Sequence, residues 1–150
     1  MIREQLKLEN QLCFPVYAAS RLITRVYQPY LDEIGITYPQ YLVLLVLWEK
    51  DKVTVNDISR KLILNTNTTT PLLKRLETLG LVTRRRSGKD ERKVIIALTA
   101  KGKKLQSRAA DIPGKLSEGL AAGSMSINEL IDLKGKLYEI INYLSLKPDL

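Results

Sequence analysis

The chain has 150 residues, 45% of them hydrophobic, with 24 Lys and Arg against 16 Asp and Glu and a formal net charge of +8, giving a pI near 9.6. That length and apolar content fit one compact domain with a sizeable core, and the charge attracts polyanions, nucleic acid first and an anionic membrane second. One cysteine and no histidine exclude an intrachain disulfide, the usual zinc sets and every His-dependent triad, so a non-enzyme without metal or cofactor is expected.

Along the chain, helical periodicity dominates. A first helix is predicted from between Asn10 and Cys13 to about Glu33, with Val16, Ser20, Ile23, Tyr27 and Leu31 near helical spacing and Gly35 ending it. Pro15 fits only near the first turn, because further in it would break a hydrogen bond and clash with the preceding turn, so Cys13 falls at the helix's amino end. The acids and amides before it stand where a signal peptide would carry an apolar stretch. Thr37-Tyr38-Pro39-Gln40 reads as a capping box opening a nearly all-apolar helix through Trp48, buried on most sides. The run from Tyr41 to Trp48 is far too short to span a bilayer, so a cytoplasmic location without a membrane partner is expected.

From Thr54 the pattern changes. Thr54-Val55-Asn56-Asp57 caps a short helix carrying Val55, Ile58 and Leu62, and the polar run Asn65-Thr66-Asn67-Thr68-Thr69-Thr70 leads to a helix carrying Leu72, Leu73, Leu76 and Leu79. Thr70-Pro71 is itself a good cap and first position, which leaves the preceding threonines as either a first turn or a loop. Two short helices joined by a tight turn form a helix-turn-helix pattern. Residues 81–86 and 93–98, rich in β-branched side chains, flank a polar turn holding Gly88 and predict the one clear hairpin, a wing. Thr99 then caps a long helix through Leu105, Ala109, Ile112, Leu116 and Leu120, kinked at Pro113-Gly114. Ser126-Ile127-Asn128-Glu129 opens a last helix with a stripe from Leu130 to Leu144.

The predicted fold is mainly α with a small β-wing, a winged helix-turn-helix between helical arms. Arms with apolar stripes either pack within the chain or meet a second copy as a symmetric homodimer. The candidate DNA-binding groups divide by role. Thr66, Asn67, Thr68 and Thr70 offer hydroxyls and amides to base edges and phosphates, and Lys74 and Arg75 hold the backbone. Arg92 at the wing tip suits a narrow minor groove, with Asp90 orienting its guanidinium. The basic runs Arg84 to Arg86 and Lys101 to Lys104 have a solvated face as their ordinary alternative. Cys13 is either a small buried hydrophobe or, at a helix amino end, a redox-active thiol.

The segment Thr70-Pro71-Leu72-Leu73-Lys74-Arg75-Leu76-Glu77, followed by Gly80-Leu81-Val82-Thr83-Arg84, Asp90-Glu91-Arg92-Lys93-Val94 and Leu98-Thr99, resembles the MarR family of winged-helix regulators over nearly the whole chain. Leu8-Glu9-Asn10-Gln11-Leu12-Cys13-Phe14 and Ile36-Thr37-Tyr38-Pro39-Gln40-Tyr41 resemble its organic-hydroperoxide-resistance branch, of the one-cysteine type. The resemblance implies a single domain over 1–150, with a winged helix-turn-helix at about 36–99 and dimerisation helices at about 1–35 and 100–150. It also implies a homodimeric repressor of a palindromic double-stranded operator, released when Cys13 is oxidised, with Tyr27 and Tyr38 donating hydrogen bonds to the thiolate. The reading helix would run from Thr66 to Leu79, and Arg84, Asp90 and Arg92 would build the wing. Lacking a resolving cysteine, the chain would complete its sulfenic acid with a low-molecular-weight thiol or by overoxidation. Asn65-Thr66-Asn67 departs from the branch's Asp-Ser-Gly. Tyr27 lies fourteen residues after Cys13, about 21 Å along one helix at about 1.5 Å per residue, so it would serve the thiol of a partner subunit. Core packing is the alternative for both tyrosines. Release by a small aromatic or phenolic ligand, or a thiol peroxidase activity, are the competing functions.

Overall fold

The most apolar segment becomes the centre of the fold: in α2 (Tyr38–Glu49) six of twelve residues are buried, among them Tyr41, Leu44 and Leu47. The computed structural model describes residues 3–147 and groups into two units, Met1–Ala110 and Asp111–Leu150.

In the first unit, α1 (Cys13–Ile34) ends where Gly35 turns left-handed at φ 74. Pro15 sits in the first turn as expected, and Pro29 lies inside the helix. The Thr37 N–H donates to Gln40 Oε1 (2.9 Å), half of the predicted capping box. α3 (Val55–Leu62) is capped by Thr54, whose Oγ1 accepts the Asp57 N–H, and α4 (Thr66–Thr78) by Asn65, whose Oδ1 accepts the Thr68 N–H (2.9 Å). The threonines 66–70 are therefore the first turns of α4, and Pro71 lies within it rather than at its start. Between α3 and α4, Ile63 is left-handed at φ 55, strained for a β-branched residue, and Leu64 N–H closes on Ser59 O (2.9 Å). A buried Ser59 Oγ–Thr69 Oγ1 hydrogen bond (2.9 Å) ties the two helices together.

The wing is β2 (Val82–Arg86) and β3 (Val94–Leu98), antiparallel, with Val82 opposite Leu98 and Arg86 opposite Val94. One strand escaped the sequence. β1 (Val53–Thr54) pairs antiparallel with β3, Val53 opposite Ile96, giving the order β1-β3-β2. Two residues running straight into a helix cap show no alternation to detect.

A second correction concerns the predicted long kinked helix. The chain instead forms α5 (Ala100–Ala109) and α6 (Ile112–Gly123), broken at Ala110-Asp111, with Pro113 in the first turn of α6. Proline is tolerated at a helix start, where no intrahelical donor is lost, so a break two residues earlier satisfies it better than a kink. In the second unit, α7 (Ile127–Ser145) begins with the predicted Ser126–Glu129 box and exposes Ile131, Leu133, Tyr138, Ile140 and Leu144. No helix among the described residues is long and apolar enough to cross a membrane.

Candidate thiol sensor and nucleic-acid interface

Cys13 opens α1 with an exposed, free thiol. The same helix exposes Phe14, Val16, Tyr17, Leu22 and Val26, apolar side chains of a kind that seeks a partner surface. At its other end, Tyr27 meets Tyr38 of α2 with ring centroids 4.9 Å apart. Buried Tyr41 lies 6.0 Å from Tyr27 and 6.3 Å from Tyr38. The two predicted tyrosines are thus brought together, and both sit far from the Cys13 of their own chain, since α1 is one continuous helix.

Burial, with repulsion from the phenolates that Tyr38 and Tyr41 would become, pushes Tyr27 up to about 12 from an ordinary 10.0. Burial also raises Tyr38, and burial with Tyr38 raises Tyr41. Around neutral pH all three keep their O–H and can donate but carry no charge, which suits them to stabilise a neighbouring anion.

The predicted DNA face assembles within the first unit. Thr66, Asn67 and Thr68 are exposed on the first turn of α4, while Thr69, 0% exposed, turns inward to Ser59. Lys74 and Arg75 are exposed further along the same helix. A cleft of about 150 Å³ joins Thr70 of α4 to Arg84 of β2 and Arg92 of the wing turn, with Thr54, Asn56 and Lys93 completing its polar wall. Arg84 NH1 lies 3.6 Å from Glu77 Oε2 on α4. Its Nε is buried and has no hydrogen-bond partner among the described residues. Asp90 Oδ1 accepts the Arg92 backbone N–H (3.1 Å), so this carboxylate shapes the turn that presents Arg92. Asn56 and Lys93 were not singled out in sequence; only the folded packing of α3 against the wing brings them to this wall. Among the described residues no cluster of His, Cys, Asp and Glu is suited to a metal ion.

Residues 25–108 match the family described as transcriptional regulator SarA/Rot. The chain is 48% identical over 144 residues to the organic hydroperoxide resistance transcriptional regulator of Bacillus subtilis (strain 168), covering 96% of each. Among solved structures it resembles reduced AbfR of Staphylococcus epidermidis bound to DNA, with TM-score 0.76 and 41% identity over 97% of this chain and 100% of that one. It likewise resembles overoxidised AbfR bound to DNA, with TM-score 0.71 and 42% identity over 94% and 99%.

Proposed function

Because the chain belongs to the MarR-type winged-helix transcriptional regulators, in their organic hydroperoxide resistance branch, we propose that it is a homodimeric repressor whose operator binding ends when Cys13 is oxidised. The observation that carries this reading is the separation of thiol and phenols. An exposed thiol opens α1, and Tyr27, fourteen residues further along that helix, pairs with Tyr38 of α2, both phenols protonated. A second copy with its α1 antiparallel to the first brings each thiol to the other's tyrosines. The exposed apolar face of α1 supplies surface for that copy.

The chemistry follows from the parts. Tyr27 and Tyr38 hydroxyls of one protomer hydrogen-bond the Cys13 thiolate of its partner, and that thiolate attacks an oxygen of an organic hydroperoxide. An S–O bond forms as the O–O bond breaks, the other oxygen leaves as an alcohol after taking a proton, and the sulfur becomes a sulfenic acid. A low-molecular-weight thiol condenses with it, releasing water and leaving a mixed disulfide. The overoxidised neighbour is bound to DNA, which favours the mixed disulfide over the sulfinic or sulfonic stage as this chain's releasing form. The added group cannot occupy the space between thiol and phenols, so the protomers shift. Two reading helices spaced for one helical turn of DNA, roughly 34 Å, then lose register.

On DNA, Thr66, Asn67, Thr68 and Thr70 meet base edges and phosphates, Lys74, Arg75 and Arg84 meet the backbone, and Arg92 enters the minor groove from the wing. The test is a gel shift on the region upstream of the protein's own gene. Reduced protein retards it, and an organic hydroperoxide with a small thiol abolishes the retardation. Retardation unaffected by that treatment contradicts the reading.

A further inference from the structure

We propose that Trp48 is a positioning residue of the redox switch, passing a displacement of the tyrosine cluster to the junction between reading helix and wing. The inference rests on the thiol switch proposed above and assigns its path within one protomer. Tyr41 touches both sensor tyrosines, and its ring meets that of Trp48 edge-on at 6.3 Å between centroids. Trp48, half-buried at the end of α2, donates its indole N–H to the Gly102 carbonyl (3.0 Å) in the first turn of α5.

That first turn grips residues 79–81, where α4 ends and β2 begins. Lys101 Nζ donates to Leu79 O (2.7 Å), the Thr99 hydroxyl to Gly80 O (2.6 Å), and the Thr99 N–H to Leu81 O (3.0 Å). Gly102 lies so close that a Cβ there would collide with the Leu81 carbonyl oxygen. Contact this tight leaves α5 no room to shift without carrying the junction along. The indole N–H is a directional link between α2 and α5, so it transmits movement along α2 that ring packing alone would absorb. A purely structural role for Trp48, a core aromatic with its N–H satisfied, predicts effects on stability and none on the switch.

Trp48→Phe keeps an aromatic ring and removes the donor. In the full-length dimer three quantities are measured: operator Kd when reduced, the rate of Cys13 oxidation by mass spectrometry, and operator Kd after treatment with cumene hydroperoxide and free cysteine. The first two are expected within about twofold of the parent, while the rise in Kd on oxidation shrinks roughly two- to thirty-fold. A rise as large as the parent's overturns the proposal. A parent that keeps its DNA after oxidation defeats the thiol-switch reading instead, and is recognised without the variant. The intact chain supplies a second measurement, because Trp48 is its only tryptophan. Its emission shifts on oxidation of the parent and not of Cys13→Ser; an unchanged spectrum in a parent that has released DNA overturns the proposal, and decides alone should Trp48→Phe not fold.

Discussion

Burial pushes Tyr27 up to about 12 and raises Tyr38, so these phenols stay protonated at neutral pH and can donate to an anion there. Tyr27→Phe or Tyr38→Phe therefore removes a donor without removing a charge. The expected outcome is slower alkylation of Cys13 by iodoacetamide near neutral pH, with an intact dimer by light scattering; alkylation at the parent rate would make both tyrosines core residues. Because the folded-state value of Tyr27 lies above its unfolded value, its contribution to stability is complete below pH 10 and fades as pH rises toward 12. At the wing, Arg92→Ala is expected to weaken operator binding by about 1 to 3 kcal/mol if the side chain makes a specific contact. Lys74→Ala, at a proposed backbone contact, instead lowers the slope of log Kd against log salt by about 0.9 for each protomer of the dimer. Titrations at several salt concentrations separate the two. These residues were legible in sequence because their chemistry is carried by type and position. Asn56, Lys93 and Trp48 were not, since what they touch is set by packing between segments distant in the chain.

Helix starts proved the most readable elements, because each is written locally by a side chain that satisfies exposed N–H groups. Thr54, Thr99 and Ser126 all cap as their residue types predict. Asn65 does so as well, in place of the branch's usual aspartate, and so settles whether the threonines form a loop or a first turn. Asn65→Ala is expected to lower the protein's stability by about 1 kcal/mol in urea melts. Thr69→Val, which strands the buried Ser59 hydroxyl, costs about 1 to 3 kcal/mol in the same measurement. What stayed hidden was decided by distant partners. Strand β1 exists only because β3 offers it an open edge, and the break before α6 reflects a choice between two ways of accommodating one proline. Asp51 belongs to this group. Burial alone would raise its carboxyl, but hydrogen bonds from the Leu98 and Lys52 N–H groups and the charge of Lys103 outweigh that and hold it low. Its stabilisation of the wing base is present at neutral pH and lost as acid protonates it. Asp51→Asn should thus be less stable than the parent at pH 7 and converge with it in strong acid, and a constant gap across the range would exclude the linkage.

At the scale of the whole molecule, the charge of +8 pointed to a polyanion before any element was placed, and the winged architecture gives that charge a reading surface. The geometry that makes the protein a sensor is visible only once α1 is seen as a single helix from Cys13 to Ile34. With Cys13 opening α1 and Tyr27 about four turns further along it beside Tyr38 of α2, the proposed pairing of thiol and phenols requires a second chain, and it would make redox chemistry and the spacing of the reading helices one variable. Serine at position 13 keeps the size and hydrogen bonding of cysteine but cannot attack a peroxide. The decisive measurement is operator affinity by fluorescence anisotropy for parent and Cys13→Ser, each reduced and each treated with organic hydroperoxide and a small thiol. Equal affinities when reduced, with release by the treated parent and continued binding by treated Cys13→Ser, are predicted; release of DNA by the treated serine variant would contradict the assignment of Cys13 as the sensor.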